Sequence, residues 1–111
     1  METITQFLKV ADVLDYREFD RLTEPAPFAP FVNTYSLESV IGWVQENGLK
    51  EPLKLSIFES KALVTDGNHR LLAAAILGLK EVEFDITFFE SFEELSATFE
   101  ATTIARFKTV C

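Results

Sequence analysis

One cysteine occurs in 111 residues, and it is Cys111, the last of them. That excludes a disulfide framework and any cysteine-based metal site within one chain, and the terminal thiol reads as incidental rather than catalytic. No stretch approaches the roughly 18 apolar residues of a membrane span. No basic N-terminal segment leads into an apolar run either. We therefore expect no membrane association and a cytoplasmic, reducing location. Positive charge is scarce: 10 basic residues against 18 acidic ones leave a net charge of −8. Non-specific adhesion to nucleic acid, which is driven by Lys and Arg neutralising phosphates, is not expected, so direct DNA binding ranks last. An acidic surface suits a basic partner instead. Trp and Tyr are rare beside eleven Phe, which favours aromatic contacts without hydroxyl handles. Repeats, low-complexity tracts and linkers are missing too. With 48% apolar and 25% charged residues, the chain reads as a single globular domain over 1–111.

Taken in order, Ile4 to Val10 alternates weakly and predicts a first strand anchored by Phe7 and Val10. Asp12 follows as the cap of a short turn through Val13, Leu14 and Tyr16. Pro25, Pro27 and Pro30 exclude helix interior and central strand. They make a stiff loop around Phe28 and Phe31, either tucked under the core or presented as a lid or docking surface. Ser36 can cap a helix whose stripe is Leu37, Val40, Ile41 and Val44, with Trp43 beside it and Asn47-Gly48 at its end. Leu53–Ile57 alternates strictly and predicts a strand, with Ala62–Thr65 as its hairpin partner. Val82–Phe89 alternates apolar and acidic residues, giving a strand with one wet face and a candidate edge for a second chain. Ser91 and Glu94 form a capping box for a final helix carrying Phe92, Leu95, Phe99 and either Thr103 or Ile104 on one face, with Arg106 and Lys108 near its end. The class is α+β: a small mixed β-sheet with packed helices.

The stretch from Asp66 to Gly78 stands apart. Asn68 reads as an N-cap, Gly78 as a left-handed terminator with Leu79 packing back, and the helix between is apolar all round, hence buried. His69 and Arg70 fall in its first turn, where the macrodipole disfavours a cation by roughly 0.3–1 kcal/mol. A glycine approach, first-turn amides and two potentially cationic side chains make an anion site. The competing reading pairs Arg70 with a nearby carboxylate such as Asp66 and leaves His69 a satisfied, partly buried histidine.

Two runs together resemble the ParB N-terminal domain and sulfiredoxin fold family: Gly48-Leu49-Lys50-Glu51-Pro52-Leu53-Lys54-Leu55, and Asp66-Gly67-Asn68-His69-Arg70 through Leu77-Gly78. The likeness covers roughly residues 36–88. It implies nucleotide binding (ATP, ADP or CTP, with or without Mg2+), the phosphates held by Gly67, Asn68, His69 and Arg70. It also makes Gly48, Leu49, Glu51 and Pro52 a loop near sugar and base. Asn68 stands where sulfiredoxin has its cysteine, and an amide cannot replace a thiolate, so sulfinic-acid chemistry is not expected. The D-G-H-H-R run of the free serine kinases is similar and implies ATP- or ADP-dependent phosphotransfer, with Asp66 and His69 as catalytic candidates. Those kinases also use an earlier carboxylate, for which Glu18, Asp20 and Glu24 are candidates. The second phosphate motif and helical domain of ParB do not occur in these 111 residues, so centromere binding is not expected. No metal-ligand cluster is evident. Two readings follow: a nucleotide- or phosphate-binding protein with phosphotransfer as an extension, or a non-enzymatic acidic interaction protein. The latter would be an inhibitor or adaptor engaging a partner through the Phe28/Phe31 loop or its acidic surface.

Overall fold

The computed structural model describes residues 1–17 and 34–110, with the side chains of 34–39 left aside. The Phe28/Phe31 loop and the candidates Glu18, Asp20 and Glu24 lie outside the described residues. Elsewhere, strand alternation translates directly into layers. Leu53 and Leu55 of β2 (Leu53–Phe58), Val64 of β3 (Lys61–Asp66) and Val82, Phe84 and Ile86 of β4 (Glu81–Phe89) share one buried face. Against it lie Val10 and Val13 of α1 (Val10–Val13) and Leu71 and Ala74 of α3 (Asn68–Ile76). Helix α2 (Thr34–Asn47) packs on α3 and buries Val44. Leu63 and Phe89 point the other way, onto Leu95 of α4 (Phe92–Thr98) and Phe107, with Ile104 of α5 (Ala101–Ile104) beside them.

Among the described residues the sheet has five strands in the order β1-β4-β2-β3-β5, with β1 at Glu2–Lys9 and β5 at Lys108–Thr109. All pairings are antiparallel except β2 with β4, which is parallel. The hairpin β2–β3 followed by α3 carries the chain over the sheet to β4, which is why one parallel pair sits in an otherwise antiparallel sheet. The α+β class with a mixed sheet and packed helices is therefore as expected. No helix among the described residues is long and apolar enough to cross a membrane.

Several local expectations need correction. β4 lies between β1 and β2, so it offers no edge; the long edge is β1. For the same reason Phe7 anchors nothing. It stands 62% exposed on an edge strand, and the core is met instead by Leu8 of that strand and Val10 of α1. The strand ends at Lys9, and Lys9 rather than Asp12 holds the N-cap position of α1. The single C-terminal helix is two, α4 and α5, because Phe99 and Glu100 are extended and Phe99 tilts inward onto Phe89 and Phe107. Lys108 then belongs to β5, its ammonium donating to the Arg17 carbonyl at 3.1 Å. Helix α3 is buried at Leu71–Ala74 but not all round, since Ile76 emerges into solvent. Its C-terminus closes as foreseen: Leu79 N–H donates to the Ala74 carbonyl and Gly78 N–H to that of Ala75. Leu79 itself stays exposed.

Candidate functional site

The site starts from a slip in the β2–β3 hairpin. Pairing runs evenly from Phe58–Lys61 to Leu55–Val64, then Lys54 faces Asp66, which makes Thr65 the extra residue of a β-bulge. In an even ladder Asp66 would stand opposite Leu53, on the buried face. The bulge re-aims it, a recurrent use of such irregularities. Asp66 then joins Lys54, Ser56, Thr65 and Thr87 in lining an open hollow of about 460 Å³, with Phe89 and Phe99 as its apolar part. Ser56 and Thr65 hydroxyls lie 2.9 Å apart there. Residue order alone gives no signal for this bulge.

One residue on, Gly67 turns the chain into α3. Its φ of 90° and ψ of 22° are left-handed, and it, not Asn68, holds the N-cap position. Asn68 is the first helical residue, and its side-chain amide donates back to the Val64 carbonyl at 3.0 Å. Gly67 offers no side chain to cap the helix. The first helical hydrogen bond runs from Leu71 N–H to the Gly67 carbonyl, so the amides of 68–70 precede the ladder. A Cβ at Gly67 would lie 2.6 Å from Leu53 Cγ and 3.1 Å from Arg70 Nη2. Glycine is required here both for its φ and for the close approach.

That second distance shows where Arg70 goes: back over the turn. Its Nη1 donates to the Glu51 carbonyl at 3.2 Å, and its Nη2 lies 3.5 Å from Asp66 Oδ2. One guanidinium thus ties the Glu51-Pro52 segment to the Asp66-Gly67 turn, and Leu53 against Gly67 closes the same junction. Of the loop candidates, Glu51 joins the site through its carbonyl. Gly48, left-handed at φ 74°, ends α2 through its N–H to the Val44 carbonyl at 2.7 Å, and Leu49 packs on the core.

His69 is partly buried. Burial first, and then the positive charge of Arg17, hold its imidazole below the ordinary value of 6.5. At neutral pH it is therefore a neutral hydrogen-bonding group, not a cation. The positive charge acting on His69 comes from Arg17, a residue only 1% exposed just after the short 3-10 turn at Leu14–Tyr16. Arg17 was not foreseen. It sits in a mixed polar stretch with no periodicity, and the available hint was chemical: an arginine in a chain poor in cations. Among the described residues no three His, Cys, Asp or Glu side chains gather where they could hold a metal ion.

No protein-family model and no curated protein matches this sequence. A solved structure of a Pnob8-like ParB-N domain does match in fold. It superposes with a TM-score of 0.56 at 21% identity, over 87% of this chain and 35% of that one. The chain therefore has a ParB-N-like fold and spans about a third of the length of that structure.

Proposed function

We propose that this ParB-N-like fold binds the phosphate group of a nucleotide (ATP, ADP or CTP, with Mg2+ as companion ion) at the Asp66–Arg70 turn. The observation that carries the reading is the construction of α3's N-terminus. Amides of residues 68–70 precede the helical ladder, Gly67 makes the left-handed turn into it, and Arg70 is folded over the same turn. A helix start of this kind favours negative charge through its amides and its dipole. Gly67, Asn68, His69 and Arg70 would hold the phosphate, neutral His69 as a hydrogen-bond donor and Arg70 as the charge, with Arg17 adding to the positive field at His69. Gly48, Glu51 and Pro52 take the weaker role at sugar and base.

Phosphotransfer is the finer reading, and the bulge favours it. Asp66 stands between the phosphate turn and the hollow on the opposite face, 59% exposed. A hydroxyl-bearing acceptor in that hollow would meet the Asp66 carboxylate, which would take the hydroxyl proton as the acceptor oxygen attacks the terminal phosphorus and the remaining nucleotide leaves, a diphosphate from ATP or CTP and a monophosphate from ADP. The reading as a non-enzymatic interaction protein draws on a different fact: both Arg70 contacts are internal, to Glu51 and Asp66.

A thermal-shift series decides between them. Nucleotide at 100 times its dissociation constant should add about 2.7 kcal/mol. For a chain of this length that is a rise of about 10 °C in Tm, and Arg70→Ala should abolish it. No rise with any nucleotide at millimolar concentration, with or without Mg2+, overturns the proposal and leaves the interaction reading.

A further inference from the structure

Strand β1 ends the sheet on one side, and nothing about it is built to be an end. Edge strands are normally kept short, bulged, proline-bearing or covered, since their open row of N–H and C=O groups pairs with any strand that fits. The opposite edge follows that rule: β5 has two residues. β1 has eight, contains no proline, and pairs with β4 in unbroken register from Glu2–Phe88 to Lys9–Glu81. Among the described residues its other side pairs with no strand. Ile4 and Phe7 are exposed along it. The protein as a whole carries a net charge of −8, yet β1 holds one acid and one base, Glu2 and Lys9.

From this we infer that β1 is a docking edge for a second copy of the chain, the two β1 strands running antiparallel to make one continuous sheet. A two-fold axis normal to the sheet keeps each face on its own side, so only residues of the same face can stand opposite. Two central registers satisfy that condition. With Thr5 facing Thr5 of the second copy, Ile4 meets Gln6 and Glu2 meets Leu8, apolar against polar. With Gln6 facing Gln6, Ile4 meets Leu8 twice, Thr5 covers Phe7 twice, and Lys9 meets Thr3. Cross-strand pairs of like character contribute roughly 0.2–1 kcal/mol each, so the Gln6-centred register is selected. It places exposed Ile4 against Leu8 in both halves of the seam and covers Phe7 with Thr5, a self-complementarity that an unrelated strand would not supply. Because each copy is acidic, the dimer strengthens as salt screens the repulsion between them.

Sedimentation equilibrium on the full chain, up to protein concentrations on the order of 0.5 mM, tests this. The expected result is a monomer–dimer equilibrium whose dissociation constant falls between about 0.05 M and about 0.5 M salt. Ile4→Lys and Phe7→Lys, each checked for native far-UV circular dichroism, should weaken it at least about tenfold. Should Ile4→Lys fail to fold, Phe7→Lys, at a position 62% exposed, decides alone. In a Cys111→Ser background, Gln6→Cys should oxidise to a disulfide-linked dimer faster than Thr5→Cys. Directly opposite residues lie about 4.5–5.5 Å apart, within disulfide reach, whereas residues offset by two along the strand lie about 7–8 Å apart. A monomer at every concentration and salt, a dimer indifferent to both lysine variants, or preferred linking through Thr5→Cys overturns the inference.

Discussion

Replacing Gly67 by alanine separates the two demands that this turn makes on its residue. The first is conformational: at φ 90° an L-residue is left-handed, which costs roughly 1–2 kcal/mol. The second is steric. The new Cβ would stand 2.6 Å from Cγ and 3.2 Å from Cβ of Leu53, a fully buried core residue, and 3.1 Å from Arg70 Nη2. Arg70 can swing aside, but Leu53 cannot leave without disturbing Leu55 and Val64, and forced overpacking of that kind costs about 1–3 kcal/mol. The sum is a loss of roughly 2–5 kcal/mol, a large part of the ~5–15 kcal/mol that holds a domain together. Urea titration should register it as a drop in midpoint of more than about 1 M at unchanged slope. Gly42→Ala is the control. It lies inside α2, and a Cβ there meets nothing within 4 Å, so it should gain about 0.5–1 kcal/mol. Leu53→Ala, alone and with Gly67→Ala, then isolates the contact. If the steric account holds, the double variant is more stable than additivity predicts by about 1–3 kcal/mol. A Gly67→Ala loss below about 1 kcal/mol, or strict additivity with Leu53→Ala, would refute it.

His69 gives a pH signature. Burial and Arg17 depress its folded pKa below 6.5, so the unfolded chain binds its proton first. Its contribution to stability is therefore complete above about pH 6.5 and is lost as pH falls from there through the lower folded value. Urea midpoints at pH 7.5 and 5.5 should differ more in the wild type than in His69→Gln, and equal differences would remove the depressed pKa. Ser91→Ala should cost about 0.5–2 kcal/mol, because the Ser91 hydroxyl accepts the Glu94 N–H at 3.2 Å and α4 holds buried Leu95 in place. A thermal scan showing no change would disprove that cap. Phe84→Ala, at a fully buried position of β4, should cost about 3–5 kcal/mol in chemical denaturation. A loss under about 1 kcal/mol would mean that β4 is not the centre of the core.

Most of the architecture is legible from residue order wherever period and punctuation agree. β2, β3 and β4 alternate, α2 and α3 end in left-handed glycines, and Ser91 caps α4 as its spacing foretells. The capping box differs in one detail: the Glu94 carboxylate accepts the Glu90 N–H at 2.9 Å, one residue before the cap. What escaped is tertiary. The burial of β4 between two neighbours, the break at Phe99 and the exposure of Phe7 depend on strand order, which no local pattern encodes. The same holds at the candidate site. The Asp66–Arg70 run announces itself by glycine, dipole and charge, and the Gly48–Leu55 run by its turn and alternation. Their junction through Arg70, the bulge that turns Asp66 outward and the buried charge of Arg17 exist only once the chain has folded.

That junction also bears on how the competing readings of Arg70 relate. Its contact with Asp66 is long at 3.5 Å, and the carboxylate is mostly solvated. Exposed pairs of this kind contribute about 0–1 kcal/mol. The Glu51 carbonyl is a neutral acceptor, for which a net gain of roughly 0.5–1.5 kcal/mol is usual, somewhat more with a charged donor. An arriving phosphate carries more charge, presents acceptors to the guanidinium and to the first-turn amides together, and draws on the helix dipole besides. The internal partners therefore preset the guanidinium over the turn without holding it there against a stronger acceptor. Under the proposed function, pairing with Asp66 and binding a phosphate would be two states of one side chain, and the exchange would free the Asp66 carboxylate on the side that faces the hollow. Asp66→Asn separates the steps. It should leave a nucleotide-induced rise in Tm intact or larger, since it removes the competitor for Arg70, while stopping any transfer to a hydroxyl acceptor. A rise that vanishes in Asp66→Asn as it does in Arg70→Ala would mean that the carboxylate helps to hold the ligand, and the exchange picture would fail.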